Sequence, residues 1–112
     1  MALDSWKISG YTLAIMRHGI AIAPEAVQDL KRLSARDRSI VRDAIETHLR
    51  HEPDRTSKSR IKRLRGISRP QYRLRVGDIR VFYDIVGQDV QVLAIVPKSR
   101  ASAWLGEMGD AE

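Results

Sequence analysis

The sequence has no cysteine, which excludes a disulfide framework, thiolate metal sites and a cysteine nucleophile. It has no apolar run near the ~20 residues of a membrane span, so no membrane association is expected. Its start lacks the basic, then apolar, then small-residue order of a secretory signal, and a cytoplasmic location is the expectation. No internal repeat or low-complexity tract occurs. What remains is 112 residues, enough for one domain with a buried core and too few for a second. A hydrophobic share of 43% is close to the globular norm and argues against wholesale disorder.

Positive charge, by contrast, is in excess. Lys and Arg number 20 against 14 Asp and Glu, a formal net charge of +6. The excess is confined to one stretch. Arg55, Lys58, Arg60, Lys62, Arg63, Arg65, Arg69, Arg73, Arg75 and Arg80 are opposed only by Asp78, a local charge of +9, while the rest of the chain is net negative. One reading is a solvated, Arg-rich loop and strand. The functional reading is a surface for phosphates, attracted through counterion release and weakened steeply by salt. Arg outnumbers Lys here, and its planar fork suits phosphate better than an ammonium does. Lys58, Arg60, Lys62, Arg63, Arg65 and Arg69 are the candidate RNA or phosphate contacts.

The hydrophobic pattern predicts an α+β fold. Ile20 and Ile22 alternate with small residues, a short strand ended by Pro24. Pro24 and Glu25 suit the first turn of a helix, in which Ala26, Val27, Leu30 and Leu33 recur at helical spacing. Ser34 followed by Asp37 resembles a capping box opening a second helix, with a stripe of Ile40, Val41, Ala44, Ile45, His48 and Leu49. His48 and His51 lie three apart at its end. No third ligand is evident, and neither a metal nor any other cofactor is expected. Residues 52–59 read as a loop. Three strand-like runs come next, Gln71–Val76, Ile79–Val86 and Asp89–Val96, joined by short turns at Gly77-Asp78 and Gly87-Gln88 into an antiparallel meander. Ala101, Trp104 and Leu105 suggest a short C-terminal helix. Residues 1–15 are expected to be an N-terminal extension, since the segment from Met16 reads as complete without them. Residues 16–106 form the domain, and residues 107–112 are expected to be a frayed acidic tail.

With Gly77 and Asp78 as turn residues, Val76 pairs with Ile79, Arg75 with Arg80, Leu74 with Val81, Arg73 with Phe82 and Tyr72 with Tyr83. One face of the hairpin then collects Tyr72, Leu74, Val76, Ile79, Val81, Tyr83 and Ile85, a core face for the helices. The other collects Arg73, Arg75, Arg80, Phe82 and Asp84. Facing Arg75 against Arg80 is unfavourable, on the ~0.2–1 kcal/mol scale of cross-strand pairs, so this face is suited to an anion. Leu93 and Ile95 are expected to continue it, opposite Phe82 and Arg80, beneath either the Trp104 segment or a partner protein.

Four segments carry a family likeness: AVQDLKRL (Ala26–Leu33), IKRLRG (Ile61–Gly66), YRLRVGDIRVFYDI (Tyr72–Ile85) and VQVLAIVPKS (Val90–Ser99). Together they resemble the RelE/ParE superfamily of bacterial type II toxins over roughly Met16 to Leu105. The resemblance implies a RelE-like fold: an N-terminal strand and helical hairpin packed on an antiparallel β-meander, with a short C-terminal helix. It implies a toxin neutralised by a cognate antitoxin, which carries the complex to operator DNA. The RelE branch cleaves messenger RNA on the ribosome by attack of the 2′-hydroxyl on the adjacent phosphodiester. Arg73 and Arg75 fall where that branch carries lysines, Arg80 where it carries a strand arginine, and Lys98 or Arg100 where it carries a C-terminal basic group. These five are the candidate catalytic residues. Two departures accompany them. A guanidinium in place of lysine is a poor general base, and the C-terminal tyrosine position is occupied by Trp104 or Leu105. The ParE branch inhibits DNA gyrase by binding, which is the alternative; a third is a degenerate member that only binds antitoxin and operator.

Overall fold

The structure, a computed structural model, describes residues 17–112, so the expected extension 1–15 and Met16 lie outside the described residues. Strand β1 (Gly19–Ile22) leads into helix α1 (Pro24–Arg32), with Pro24 in the first turn and Glu25 complementing the positive helix end. Helix α2 (Ala35–Leu49) comes directly after it. Its N-cap is Ser34, whose Oγ accepts the Asp37 N–H at 3.1 Å, the bond its capping sequence predicts. Arg38 on α2 closes the hairpin: Nε donates to the Leu30 carbonyl at 3.1 Å and Nη2 to the Leu33 carbonyl at 3.0 Å. The Leu30 carbonyl also accepts the Leu33 N–H at 3.1 Å, so Arg38 adds a side-chain donor at the end of α1, where carbonyls lack the regular helical partner.

After a loop come β2 (Ile61–Arg63), β3 (Ile67–Arg69), β4 (Tyr72–Val76), β5 (Ile79–Val86) and β6 (Asp89–Pro97), then helix α3 (Lys98–Met108) and β7 (Asp110–Ala111). The main sheet has the order β1-β6-β5-β4-β2, with β1 parallel to β6 and the other pairs antiparallel. The hairpin register matches the predicted one at all five pairs from Tyr72↔Tyr83 to Val76↔Ile79. Its apolar face packs with both helices: Ala26 and Leu30 from α1 and Val41, Ile45 and Leu49 from α2 join Leu74, Val81, Tyr83, Val90 and Val92 in one core. Among the described residues no helix is long and apolar enough to cross a membrane.

Three features depart from the sequence reading. The short strands β2 and β3 stand where no strand was expected, because three residues are too few to show an alternation. The expected fraying of the tail is corrected: Asp110–Ala111 pair antiparallel with Ile67–Arg69, and the Glu112 N–H donates to the Gly66 carbonyl at 3.3 Å. Backbone pairing of this kind needs no side-chain pattern. Finally, a bulge after Phe82↔Ala94 and before Tyr83↔Val92 leaves Leu93 unpaired and shifts the parity of β6. Ile95 therefore faces Val81 in the core, and Ala94 and Val96, not Leu93 and Ile95, oppose Phe82 and Arg80. The Ile95 N–H is satisfied by Asp29 Oδ2 at 2.9 Å.

Candidate nucleic-acid interface

The same alternation that buries the apolar face places Arg73, Arg75, Arg80 and Phe82 together on the opposite one. Arg73, Arg80 and Phe82 contribute to an open cleft of about 780 Å³. Lys62, Leu64 and Arg65 line it from the β2–β3 segment, and Lys98, Ala101, Ser102 and Leu105 line it from α3. Lys62 is the register partner of Arg73, so the two stand side by side across the β2–β4 ladder.

Arg80 is only 7% exposed. Its Nη1 donates to the carbonyls of Gly77 at 2.8 Å and Ile79 at 3.1 Å, which draws its charge towards the turn and fixes the guanidinium. Arg73 is half-buried, and its Nε is enclosed without a hydrogen-bond partner. Burial, then the positive charges of Arg80 and Arg75, hold its pKa below the usual arginine value; at neutral pH the group remains a cation. Among the described residues no carboxylate pairs with Arg73, Arg75 or Arg80. Asp84 shares their face, but one of its oxygens accepts the Gln71 N–H at 2.7 Å and the other forms an ion pair with the Arg69 guanidinium, Nε 3.2 Å away. An orphaned buried N–H costs about 1–3 kcal/mol. Like charges add to that cost, and an anion in the cleft offsets the repulsion.

Helix α3 presents two stripes. Lys98, Ala101, Ser102 and Leu105 take i, i+3, i+4, i+7 spacing into the cleft. Arg100, Ala103, Trp104 and Glu107 repeat it on another side, in a groove with Asp29 and Arg32. Two residues along a helix are about 200° apart, so Lys98 reaches the cleft and Arg100 does not. The Trp104 ring stacks on Phe82 with centroids 4.9 Å apart and planes at 8°. The C-terminal segment thus covers this apolar part of the sheet itself.

The remaining basic residues divide. Lys62 and Arg65 line the cleft. Arg63 also borders it, but its Nη1 donates to the Gln71 carbonyl at 2.8 Å and its guanidinium lies 5.2 Å from the Tyr72 ring centroid. Arg75 is exposed on the same sheet face outside the cleft. Arg69 is held by Asp84, Lys58 is exposed in the loop away from the cleft, and Arg60 lines a separate hollow with His48 and His51. Sequence reasoning missed Leu64, Ala101, Ser102 and Leu105 as wall residues. The i, i+3, i+4, i+7 run from Lys98 is the signal that marks three of them.

The two tyrosines of the hairpin lie on the core face, as alternation predicts. Tyr83 is fully buried, its hydroxyl donates to the Pro53 carbonyl at 2.6 Å, and its ring stacks on Tyr72 at 5.5 Å. Burial pushes its pKa well above the usual tyrosine range, so it is a structural group. His48 is also displaced: burial, then the charge of Arg60, hold its pKa below the ordinary 6.5. The neutral form is thus the favoured one in the folded state. Its contribution is fully present above pH 6.5 and declines as pH falls through that value towards the lower folded pKa. The thermal midpoint is expected to drop on acidification below about pH 6.5, and to drop less in His48→Gln; equal pH profiles for the two proteins would contradict this.

Comparison with known proteins bears on this geometry. Residues 20–102 match the family model described as ParE toxin of type II toxin-antitoxin system, parDE. No curated protein matches significantly. The toxin–antitoxin complex RelBE2 of Mycobacterium tuberculosis contains a chain similar at 24% identity and TM-score 0.60, covering 72% of this chain and 98% of that one. The RelB–RelE complex of Methanococcus jannaschii gives 21% identity and TM-score 0.57, over 75% of this chain and 96% of that one. The RelE–RelB complex of Pyrococcus horikoshii OT3 gives 26% identity and TM-score 0.57, over 76% and 99%. The α+β fold of helical hairpin and five-stranded sheet described above is similar to the fold of these chains.

Proposed function

The chain belongs to the ParE toxin family and is a type II toxin of the RelE/ParE group, and on that premise we propose that it is an endoribonuclease acting on ribosome-bound messenger RNA. The observation that carries the reading is the arginine cleft: two guanidinium groups in its floor, Lys62, Arg65 and Lys98 on its walls, and no ion-paired carboxylate among the described residues around Arg73 and Arg80. Such a site suits a phosphodiester. When the 2′-hydroxyl attacks phosphorus, its proton passes to solvent in the open cleft, a new O–P bond forms, the bond to the 5′-oxygen breaks, and negative charge builds on the non-bridging oxygens. Arg73 and Arg80 are placed to stabilise that charge, a role worth roughly 10²–10³ in rate per donor in comparable sites. Lys62 and Lys98 are the cleft cations able to release a proton to the leaving oxygen, since a guanidinium does not. A cognate antitoxin, as in the complexes of the structural neighbours, is the protein partner this reading implies.

A second reading, inhibition of DNA gyrase by binding, is favoured by the ParE description of the matching family. It is also favoured by the lack of a tyrosine or histidine among the described residues lining the cleft. Binding needs no proton transfer. Mapping transcript ends after brief induction separates the two. The endoribonuclease reading expects new 5′ ends within minutes and their loss in Arg80→Ala; intact transcripts together with blocked supercoiling by purified gyrase would replace it with the second.

A further inference from the structure

The family match ends at residue 102, and beyond α3 the chain returns to pair with β3, the strand that follows one cleft wall. Helix α3 continues to Met108, after which Gly109 is extended and its N–H donates to the Leu105 carbonyl at 2.9 Å. The chain then pairs with β3 in the register Ile67↔Ala111 and Arg69↔Asp110. The Ser68 hydroxyl donates to the Asp110 carbonyl at 3.3 Å, and the Glu112 N–H to Gly66. The two partners of this contact are the extensions of the two cleft walls. Lys98, Ala101, Ser102 and Leu105 belong to the helix that the tail terminates, and Leu64 and Arg65 lead directly into β3. The tail therefore ties one wall to the other, and it sets two acidic residues, Asp110 and Glu112, alongside the β3 segment that follows Arg65.

We infer that residues 109–112 form a releasable strap that limits entry of a polyanion into the arginine cleft. The contact is weak by construction: β7 has two residues, both exposed, and no apolar side chain of the tail is buried. Opening it costs a short ladder, while a bound nucleic-acid strand gains access to the segment that the tail pairs with. Apparent affinity then equals the intrinsic affinity scaled by the open fraction. Gly109 is the lever. A Cβ there would stand 2.6 Å from the Leu105 carbonyl oxygen, a backbone atom that cannot move aside cheaply, whereas at Gly106 a Cβ meets nothing within 4 Å.

The inference rests on the cleft being the polyanion site, and its test separates the two. The full chain is compared with a chain ending at Met108, with Gly109→Ala, and with Gly106→Ala as the control. Phenylglyoxal modification of Arg73, detected by peptide mass spectrometry, reports access to the cleft without any RNA. Fluorescence anisotropy with a 2′-blocked single-stranded RNA hexamer reports binding. Both are expected to rise roughly three- to tenfold in the truncated chain and in Gly109→Ala, and to stay unchanged in Gly106→Ala. Equal Arg73 modification in the full and truncated chains overturns the strap. Faster modification without tighter RNA binding supports the strap and counts against RNA as the ligand.

Discussion

Replacing Arg73 with Met is expected to abolish growth arrest and, in the same protein, to raise the thermal midpoint. The functional loss stems from position: Arg73 lies in the cleft floor beside Arg80 and across from Lys62, with its Nε unpartnered. Losing one charge-assisted phosphate contact costs about 1.5–3 kcal/mol, roughly 10- to 100-fold in RNA affinity. The dependence of log affinity on log salt should become shallower by about 0.7, the value for one single-strand phosphate. The gain in stability has the same origin. Met keeps much of the aliphatic packing, while the enclosed Nε and the repulsion from Arg80 and Arg75 disappear. A gain of about 1 kcal/mol corresponds to a rise of roughly 4 °C for a domain of this size. A midpoint that falls, or toxicity that persists, would show that Arg73 is an ordinary packing residue.

Substitutions at Tyr83 are expected to do the opposite, destabilising the fold without touching the chemistry. Tyr83→Ala removes a fully buried ring stacked on Tyr72 and should cost about 4 kcal/mol, a large part of the stability of so small a domain. Tyr83→Phe keeps the ring and deletes only the hydroxyl that holds the Pro53 carbonyl, so it should cost about 1–2 kcal/mol. RNA cleavage per folded molecule should be unchanged in the Phe variant, because this hydroxyl points into the core side of the sheet. A hundredfold loss of cleavage at unchanged stability would make Tyr83 a proton-transfer group and move the reaction to the other face.

Much of this arrangement is legible in the sequence because it is written in periodicities. The Gly77-Asp78 turn fixes the hairpin register, and alternation on both strands then sorts three arginines from the apolar residues opposite them. Ser34 and Pro24 mark helix starts through local chemistry that needs no tertiary context. Other features depend on partners distant in the chain. The bulge at Leu93 leaves no trace in the unbroken apolar run Val92–Val96, where alternation cannot be read, yet it transfers Ile95 to the core. The pairing of β7 with β3 is a backbone contact between segments far apart in the chain. Charge count alone also overstates the site: Arg69 is held by Asp84, Arg60 turns to His48 and His51, and Arg100 lies on the wrong side of α3. Each of these requires knowing what stands nearby in space. Lys98, Ala101, Ser102 and Leu105 could have been separated from Arg100 by helical spacing, once α3 is taken to begin at Lys98.

The most direct measurement is a crystal structure of the full chain with a short RNA whose 2′-hydroxyl is blocked at one position. A phosphodiester bound through the guanidinium groups of Arg73 and Arg80, with Lys62 or Lys98 within hydrogen-bond reach of a bridging oxygen, is the expected result. An RNA seated on the 52–60 loop or in the Trp104 groove, with the arginine cleft left to solvent, would be the contradictory one.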